Sequence, residues 1–170
     1  MRTAIYPGTF DPITNGHLDI ATRASNLFDQ IIIAVSNNPH KSPLFTLDER
    51  MALVKETVKG LSNVTVDTFQ GLLVIYARNK KASALIRGIR AVSDFEYEFQ
   101  MALMNRKLNP KIETVYLMPS EEYTYLNSTI AKEVTLLGGD VRAFLPEAVH
   151  EALLKKMKNN ENDIKLSRRI

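Results

Sequence analysis

Short apolar runs and segments with helical periodicity alternate along the whole chain. Residues 31–35, Ile-Ile-Ile-Ala-Val, are rich in β-branched side chains without polar alternation, which is typical of a strand buried on both faces. Four other runs predict further strands, at 3–6, 64–66, 84–86 and 114–118. Apolar residues spaced three and four apart predict helices between and after these runs, at 18–28, 47–58, 72–78, 93–108, 127–137 and 146–157.

The order of these elements predicts the fold class. Strand and helix alternate, which favours an α/β fold: a single doubly wound, Rossmann-like domain with a five-stranded parallel sheet and right-handed crossovers. We place this domain at residues 1–157 and expect a mobile, polar and basic tail at 158–170. Ligands of such sheets bind where the strand order reverses. We therefore expect the turns after strands one and four to flank a crevice.

Local signals predict where several helices begin and end. Thr46 and Glu49 form a capping box, and Ser93 and Glu96 form a second one. Gly138 follows the fifth predicted helix and is expected to end it.

Composition narrows the possible functions. Hydrophobic residues make up 45% of the 170 residues, yet no apolar run approaches the ~20 residues of a membrane helix. The lack of cysteine excludes disulfides and thiolate chemistry. The net charge of +3 arises in residues 155–170, where six basic and two acidic side chains sum to +4. We therefore expect a cytoplasmic protein that binds neither membranes nor nucleic acid.

The most unusual stretch, YPGTFDPITNGH at residues 6–17, follows the first predicted strand. It lacks both the Gly-Lys-Ser/Thr ending of a Walker A loop and the GxGxxG of a dinucleotide site. Gly8 lets the backbone approach a ligand closely. Gly16 and His17 begin a helix whose free N–H groups favour phosphate. Helical periodicity turns the His17 ring inward, towards the strand ends.

This stretch resembles the T/HxGH signature of the nucleotidyltransferase superfamily, with Thr14 first and His17 last. The wider match, over about residues 3–157, is to the bacterial phosphopantetheine adenylyltransferase family. Three further stretches are similar to that family: LIRGIRAVSDFEYE at 85–98, LMPS at 117–120, and LNST at 126–129 with Lys132. The resemblance implies transfer of the adenylyl group of ATP to 4′-phosphopantetheine, giving dephospho-coenzyme A and pyrophosphate. It also implies a homohexamer, and Mg²⁺ is expected to enter with ATP.

The resemblance also implies roles for single residues. His17 would bond the α-phosphate and stabilise the pentacovalent transition state, while Lys41 and Arg87 would orient the acceptor phosphate. Thr9 would bind where the two substrates meet, and Leu73 would contact the pantetheine arm. The residues implied to bind ATP form a larger set: Thr9, Phe10, His17, Gly88, Ile89, Arg90, Glu98, Tyr123, Thr124, Tyr125, Leu126, Asn127, Ser128 and Thr129.

Plainer interpretations exist for several of these residues. Taken without the family, Lys41 is an exposed lysine and Leu73 a core residue. On the same basis, Glu98 would be a solvent-facing helix carboxylate, and Arg87 would form a salt bridge to a neighbouring carboxylate. Asn127 departs from the family pattern, which has serine there. The resemblance therefore does not decide whether Asn127 contacts a phosphate.

Two other functions fit parts of the sequence. One is a different adenylyl- or cytidylyltransferase of the same superfamily, which would use another acceptor or base. The other is a non-catalytic nucleotide- or RNA-binding module that uses the basic tail, although the body lacks a basic and aromatic surface. His40 and His150 lie in no motif, and we expect both at the surface.

Overall fold

The computed structural model describes residues 1–38 and 42–167, which form five strands and six helices joined by short loops and two 3-10 turns. The strands are β1 (Thr3–Gly8), β2 (Gln30–Ser36), β3 (Val64–Phe69), β4 (Ala84–Gly88) and β5 (Glu113–Leu117). The helices are α1 (Asn15–Leu27), α2 (Leu47–Val58), α3 (Leu73–Asn79), α4 (Val92–Leu108), α5 (Ser128–Leu136) and α6 (Glu147–Ser167).

All five strands are parallel and lie in the order β3-β2-β1-β4-β5. The chain builds one half of the sheet outward from β1, then crosses back and builds the other half from β4. The predicted doubly wound α/β fold is confirmed. The strand order reverses between β1 and β4, so the turns that follow these two strands flank the switch point.

The two faces of the sheet pack into separate hydrophobic clusters. Ala4 and Tyr6 of β1 belong to the larger cluster, which helices α1, α2, α5 and α6 cover. Ile5 points to the smaller cluster on the opposite face, which includes Ala77 of α3. Because successive strand side chains alternate between faces, β1 is buried on both sides, as parallel strands require.

The first predicted capping box is confirmed and the second is wrong. Thr46 Oγ1 accepts from Glu49 N at 3.2 Å, and Glu49 Oε2 accepts from Thr46 N at 2.7 Å. Helix α4 instead begins at Val92, so Ser93 already lies inside its first turn. The Asp94 carboxylate accepts from the backbone N and Nε of Arg90, at 3.4 and 3.1 Å, and holds that turn.

Helix α6 departs from the sequence expectation in two ways. It continues to Ser167 instead of ending near 157, because no glycine or proline interrupts it. The division into a domain at 1–157 and a mobile tail stays a prediction. His150 is buried, contrary to the expected surface position, because α6 packs against both α2 and α5. His40 lies outside the described residues. In the part of the chain described here, no helix is long and apolar enough to cross a membrane.

Candidate active site

A crevice lies at the switch point, beyond the carboxyl ends of β1 and β4. Its volume is about 890 Å³, a size typical of small-molecule sites. The turn after β1, the end of β4, helix α4 and the N-termini of α1 and α5 form most of its wall. Ser36, Phe69 and Leu73 close the side nearest β2 and β3. The 6–17 stretch after β1 and the 85–98 stretch at the end of β4 therefore meet in one cavity.

Tight packing shapes the turn after β1. A side chain at Gly8 would place its Cβ 2.7 Å from the Phe10 ring, so only glycine fits there. Phe10 adopts a left-handed backbone with φ 49° and is buried. Its ring meets those of Tyr6 and His17 edge-on, with centroids 5.5 and 5.2 Å apart. Phe10 thus supports His17 from behind the crevice.

His17 occupies the third position of α1, where it completes a capping box with Thr14. Its Nδ1 accepts the Thr14 backbone N–H at 3.0 Å and lies 2.9 Å from the Thr14 hydroxyl oxygen. A neutral imidazole whose Nδ1 accepts carries its proton on Nε2. Burial, assisted by the charge of Arg90, lowers the pKa of His17 to about 4. At neutral pH this ring therefore offers the crevice an uncharged Nε2–H donor.

Arg87 projects from the end of β4 and is held by Glu98 of α4. Its Nε donates to Glu98 Oε2 at 2.7 Å, and its Nη2 donates to Glu98 Oε1. Nη1 donates to the Pro7 carbonyl at 3.4 Å. These bonds use three of the five guanidinium N–H groups. The salt-bridge interpretation of Arg87 is thus confirmed, and both partners also line the cavity.

Arg90 joins the turn after β4 to the loop before α5. Its Nε donates to Asp94 Oδ2 at 3.1 Å, and its Nη1 donates to the Leu126 carbonyl at 3.4 Å. Arg90 and Asp94 both line the crevice. Among the described residues, two arginines therefore line the crevice, each paired with a carboxylate from α4.

The N-terminus of α5 forms another part of the wall of the crevice. Asn127 is the N-cap, and its Oδ1 accepts from Ile130 N at 2.8 Å. Ser128 Oγ donates to the Pro12 carbonyl at 2.7 Å, which fastens α5 to the turn after β1. Because the N–H groups of a first helical turn have no partner within the helix, this end favours an anion.

Asp11 does not line the crevice but holds the segments around it, and the sequence analysis missed it. Its buried carboxylate accepts from Leu44 N and Phe45 N, both at 2.9 Å, and from Lys132 Nζ at 2.6 Å. It thereby joins the turn after β1, the segment before α2 and helix α5. The signal was present, because Asp11 lies inside the 6–17 stretch and Lys132 in a second matching stretch. The buried Arg50 of α2 was missed as well.

The structure brings most of the predicted site residues together. Those that line the cavity are Thr9, His17, Leu73, Arg87, Gly88, Arg90, Glu98, Tyr123, Leu126, Asn127, Ser128 and Thr129. Four others lie nearby without lining it: Phe10, Ile89, Thr124 and Tyr125. Tyr125 instead packs edge-on against Phe144, with centroids 5.8 Å apart. Lys41 lies outside the described residues.

Comparison with known proteins agrees with this arrangement. Residues 5–134 match the cytidylyltransferase-like family. A phosphopantetheine adenylyltransferase of Alkaliphilus metalliredigens (strain QYMF) is 56% identical over 156 residues, 92% of this chain and 99% of the relative. One from Caldanaerobacter subterraneus subsp. tengcongensis is 56% identical over 160 residues, 94% of this chain and 100% of the relative.

A solved structure extends the similarity to the fold. It is described as a putative nicotinate-nucleotide adenylyltransferase from Vibrio parahaemolyticus. Its TM-score is 0.67 at 20% identity, over 92% of this chain and 95% of the other. At that identity the likeness shows the shared fold alone.

Proposed function

The chain belongs to the phosphopantetheine adenylyltransferase family, within the cytidylyltransferase-like group, and from this premise we propose that the crevice between β1 and β4 is its active site. The enzyme transfers the adenylyl group of ATP to 4′-phosphopantetheine and releases pyrophosphate, a step of coenzyme A biosynthesis. The acceptor phosphate attacks the α-phosphorus in line with the departing pyrophosphate. Such a reaction needs no enzyme nucleophile, only positioning and charge stabilisation.

His17 carries this proposal. Its Nδ1 is bound to Thr14, so Nε2–H is fixed as the donor into the crevice. As the α-phosphorus becomes five-coordinate, negative charge grows on its oxygens, and a preplaced donor binds them more strongly than in the ground state. With its pKa lowered to about 4, the ring stays neutral at physiological pH and acts as a hydrogen-bond donor and not as a cation. His17 is thus the transition-state stabiliser.

Arg87 serves the acceptor phosphate from the end of β4, on the same face of the sheet as Leu73. Glu98 fixes the guanidinium from one edge and leaves further N–H groups for the phosphate. Leu73 provides apolar surface for the pantetheine arm, and Thr9, which also lines the cavity, is proposed to bind where the two substrates meet. Lys41, implied by family resemblance alone, is proposed as a second cation on this phosphate.

The nucleotide occupies the opposite half, between the turn after β4 and helix α5. Gly88 and Arg90 bind it from one side, and Tyr123 and the first turn of α5 close over the triphosphate. The remaining residues proposed for this half on the family pattern are Phe10, Ile89, Glu98, Thr124, Tyr125 and Leu126. Asn127 acts there as a helix cap that orients the N–H groups of α5.

Mg²⁺ enters as part of the substrate Mg-ATP. The two carboxylates that line the crevice, Asp94 and Glu98, are both paired with arginines. This arrangement supports a metal held mainly by ATP phosphates and water, as is usual for Mg²⁺.

A homohexamer in the cytoplasm is the proposed working form. Helix α4 supports self-association, because it leaves large apolar side chains exposed around most of its circumference. They include Phe95, Tyr97, Phe99, Leu103, Met104 and Leu108. Phe95 and Phe99 stack on each other with centroids 5.7 Å apart, which gives a partner subunit a flat aromatic surface.

The proposed function is tested by supplying Mg-ATP with 4′-phosphopantetheine and detecting dephospho-coenzyme A by mass spectrometry. Parallel reactions use nicotinate mononucleotide as acceptor, or CTP in place of ATP. We expect dephospho-coenzyme A and pyrophosphate in equal amounts from the first mixture alone. A faster reaction with another acceptor, or with CTP, would assign the chain to a different transferase.

A further inference from the structure

Arg50 is a buried cation behind the acceptor half of the crevice. It lies on α2 and is 3% exposed. Its Nη1 donates to the Thr9 carbonyl at 2.8 Å and to the Ser36 carbonyl at 3.0 Å. Its Nε donates to the Phe45 carbonyl at 3.2 Å. One guanidinium thus binds the turn after β1, the end of β2 and the segment that precedes α2.

The charge of Arg50 is not neutralised by a contacting acid. Within residues 1–38 and 42–167, no carboxylate forms an ion pair with it. Burial lowers the pKa of Arg50 and the charge of nearby Asp11 opposes this, but an arginine stays protonated. Burying such a charge is costly, so its position calls for a role beyond packing.

The bonds to Thr9 and Ser36 explain what the charge does. Thr9 directly follows β1 and Ser36 is the last residue of the neighbouring strand β2, and both residues line the cavity, as Phe69 and Leu73 do. Carbonyl oxygens directed at a bound phosphate would repel it. Arg50 instead draws both oxygens back towards α2 and adds positive potential behind them.

The backbone of Phe45 fixes this arrangement from the other side. Its carbonyl accepts from Arg50 Nε, and its N–H donates to Asp11 Oδ1 at 2.9 Å. Arg50 and Asp11 therefore bind the two backbone polar groups of one residue, Phe45, which ties α2 to the turn after β1. We infer that Arg50 is a positioning residue that shapes the acceptor-phosphate half of the crevice.

This inference rests on the proposed function, and Arg50→Lys tests it. Lysine keeps the charge, but its single nitrogen cannot reproduce the forked bonds to three carbonyls. We expect the KM for 4′-phosphopantetheine to rise at least tenfold, while the KM for Mg-ATP stays within about twofold. A purely structural role would lower the amount of folded enzyme and leave both KM values unchanged, because KM does not depend on enzyme concentration.

A second measurement does not depend on turnover. Each substrate raises the Tm of the protein it binds by mass action. In Arg50→Lys the rise given by 4′-phosphopantetheine should shrink, while the rise given by ATP persists. Arg106→Lys, at the exposed pair with Glu113, is the matched control and should leave both responses intact.

The possible outcomes distinguish a failure of the Arg50 inference from a failure of the proposed function. If the wild-type chain makes no dephospho-coenzyme A, the proposed function fails. If the wild type does and Arg50→Lys keeps both KM values, or raises only that for ATP, the positioning role of Arg50 is wrong.

Discussion

The Nδ1 atom of His17 lies 3.0 Å from the backbone nitrogen of Thr14, three residues before it. The same ring therefore caps helix α1 and, through its other nitrogen, presents a donor to the crevice. Glutamate or glutamine usually fills this capping position. A histidine performs the same capping while leaving a second polar atom for a ligand.

This contact predicts how stability depends on pH. The folded protein holds His17 neutral with a pKa near 4, against 6.5 for an unperturbed histidine. The unfolded chain therefore binds more protons between these values, and the free energy of unfolding falls as the pH drops from about 6.5 to 4. The Tm of the wild type should fall further between pH 7 and pH 5 than the Tm of His17→Gln. Parallel losses in the two proteins would contradict the lowered pKa.

Gly8→Ala should damage both stability and turnover. The new Cβ would lie 2.7 Å from the Phe10 ring, and overpacking of this kind costs about 1–3 kcal/mol. Phe10 packs on His17, so its displacement should also lower kcat. Urea unfolding and steady-state assays measure the two effects. The control is Gly60→Ala, where a Cβ meets nothing within 4 Å. Equal behaviour of the two variants would refute the packing argument.

The ion pair between Asp11 and Lys132 should be strongly coupled. Asp11→Asn leaves the Lys132 ammonium without its partner, which for a buried pair costs roughly 3 kcal/mol. A double-mutant cycle with Lys132→Met should give a coupling energy of about 1–3 kcal/mol by urea unfolding. The exposed pair of Lys59 and Glu56 is the control and should couple by about 0.5 kcal/mol or less. If the effects of the two substitutions on the free energy of unfolding simply add, the contact between Asp11 and Lys132 does not contribute to stability.

Asn127→Ser should have little effect on stability or on ATP binding. Asn127 Oδ1 caps α5 by accepting from Ile130 N at 2.8 Å, and serine is an equally good N-cap. Tm and the KM for ATP should both stay close to wild type. A large rise in that KM would mean that the asparagine side chain itself contacts the nucleotide.

The sequence was sufficient for the sheet and for most of the crevice. Strand and helix periodicity together with the rule for open parallel sheets predicted both the fold and the place of the site. Five of the six bonds that Asp11 and Arg50 form among the described residues could not be predicted, because their partners lie 14 to 121 residues away and, except for Lys132, are backbone groups. The sequence contains one signal for the burial of Arg50, because it shares a helical face with the buried Val54 and Val58. His150 was misjudged because two helices, not one, cover α6.

The central claim is that this chain transfers AMP and that His17 stabilises the transition state. The most direct test is the single-turnover rate of dephospho-coenzyme A formation by wild type and His17→Ala at saturating substrates. Loss of one preplaced donor should lower this rate by about 10²–10³, with Tm and ATP binding nearly unchanged. A near-normal rate in His17→Ala, or a fall in Tm large enough to account for the lost activity, would contradict the account.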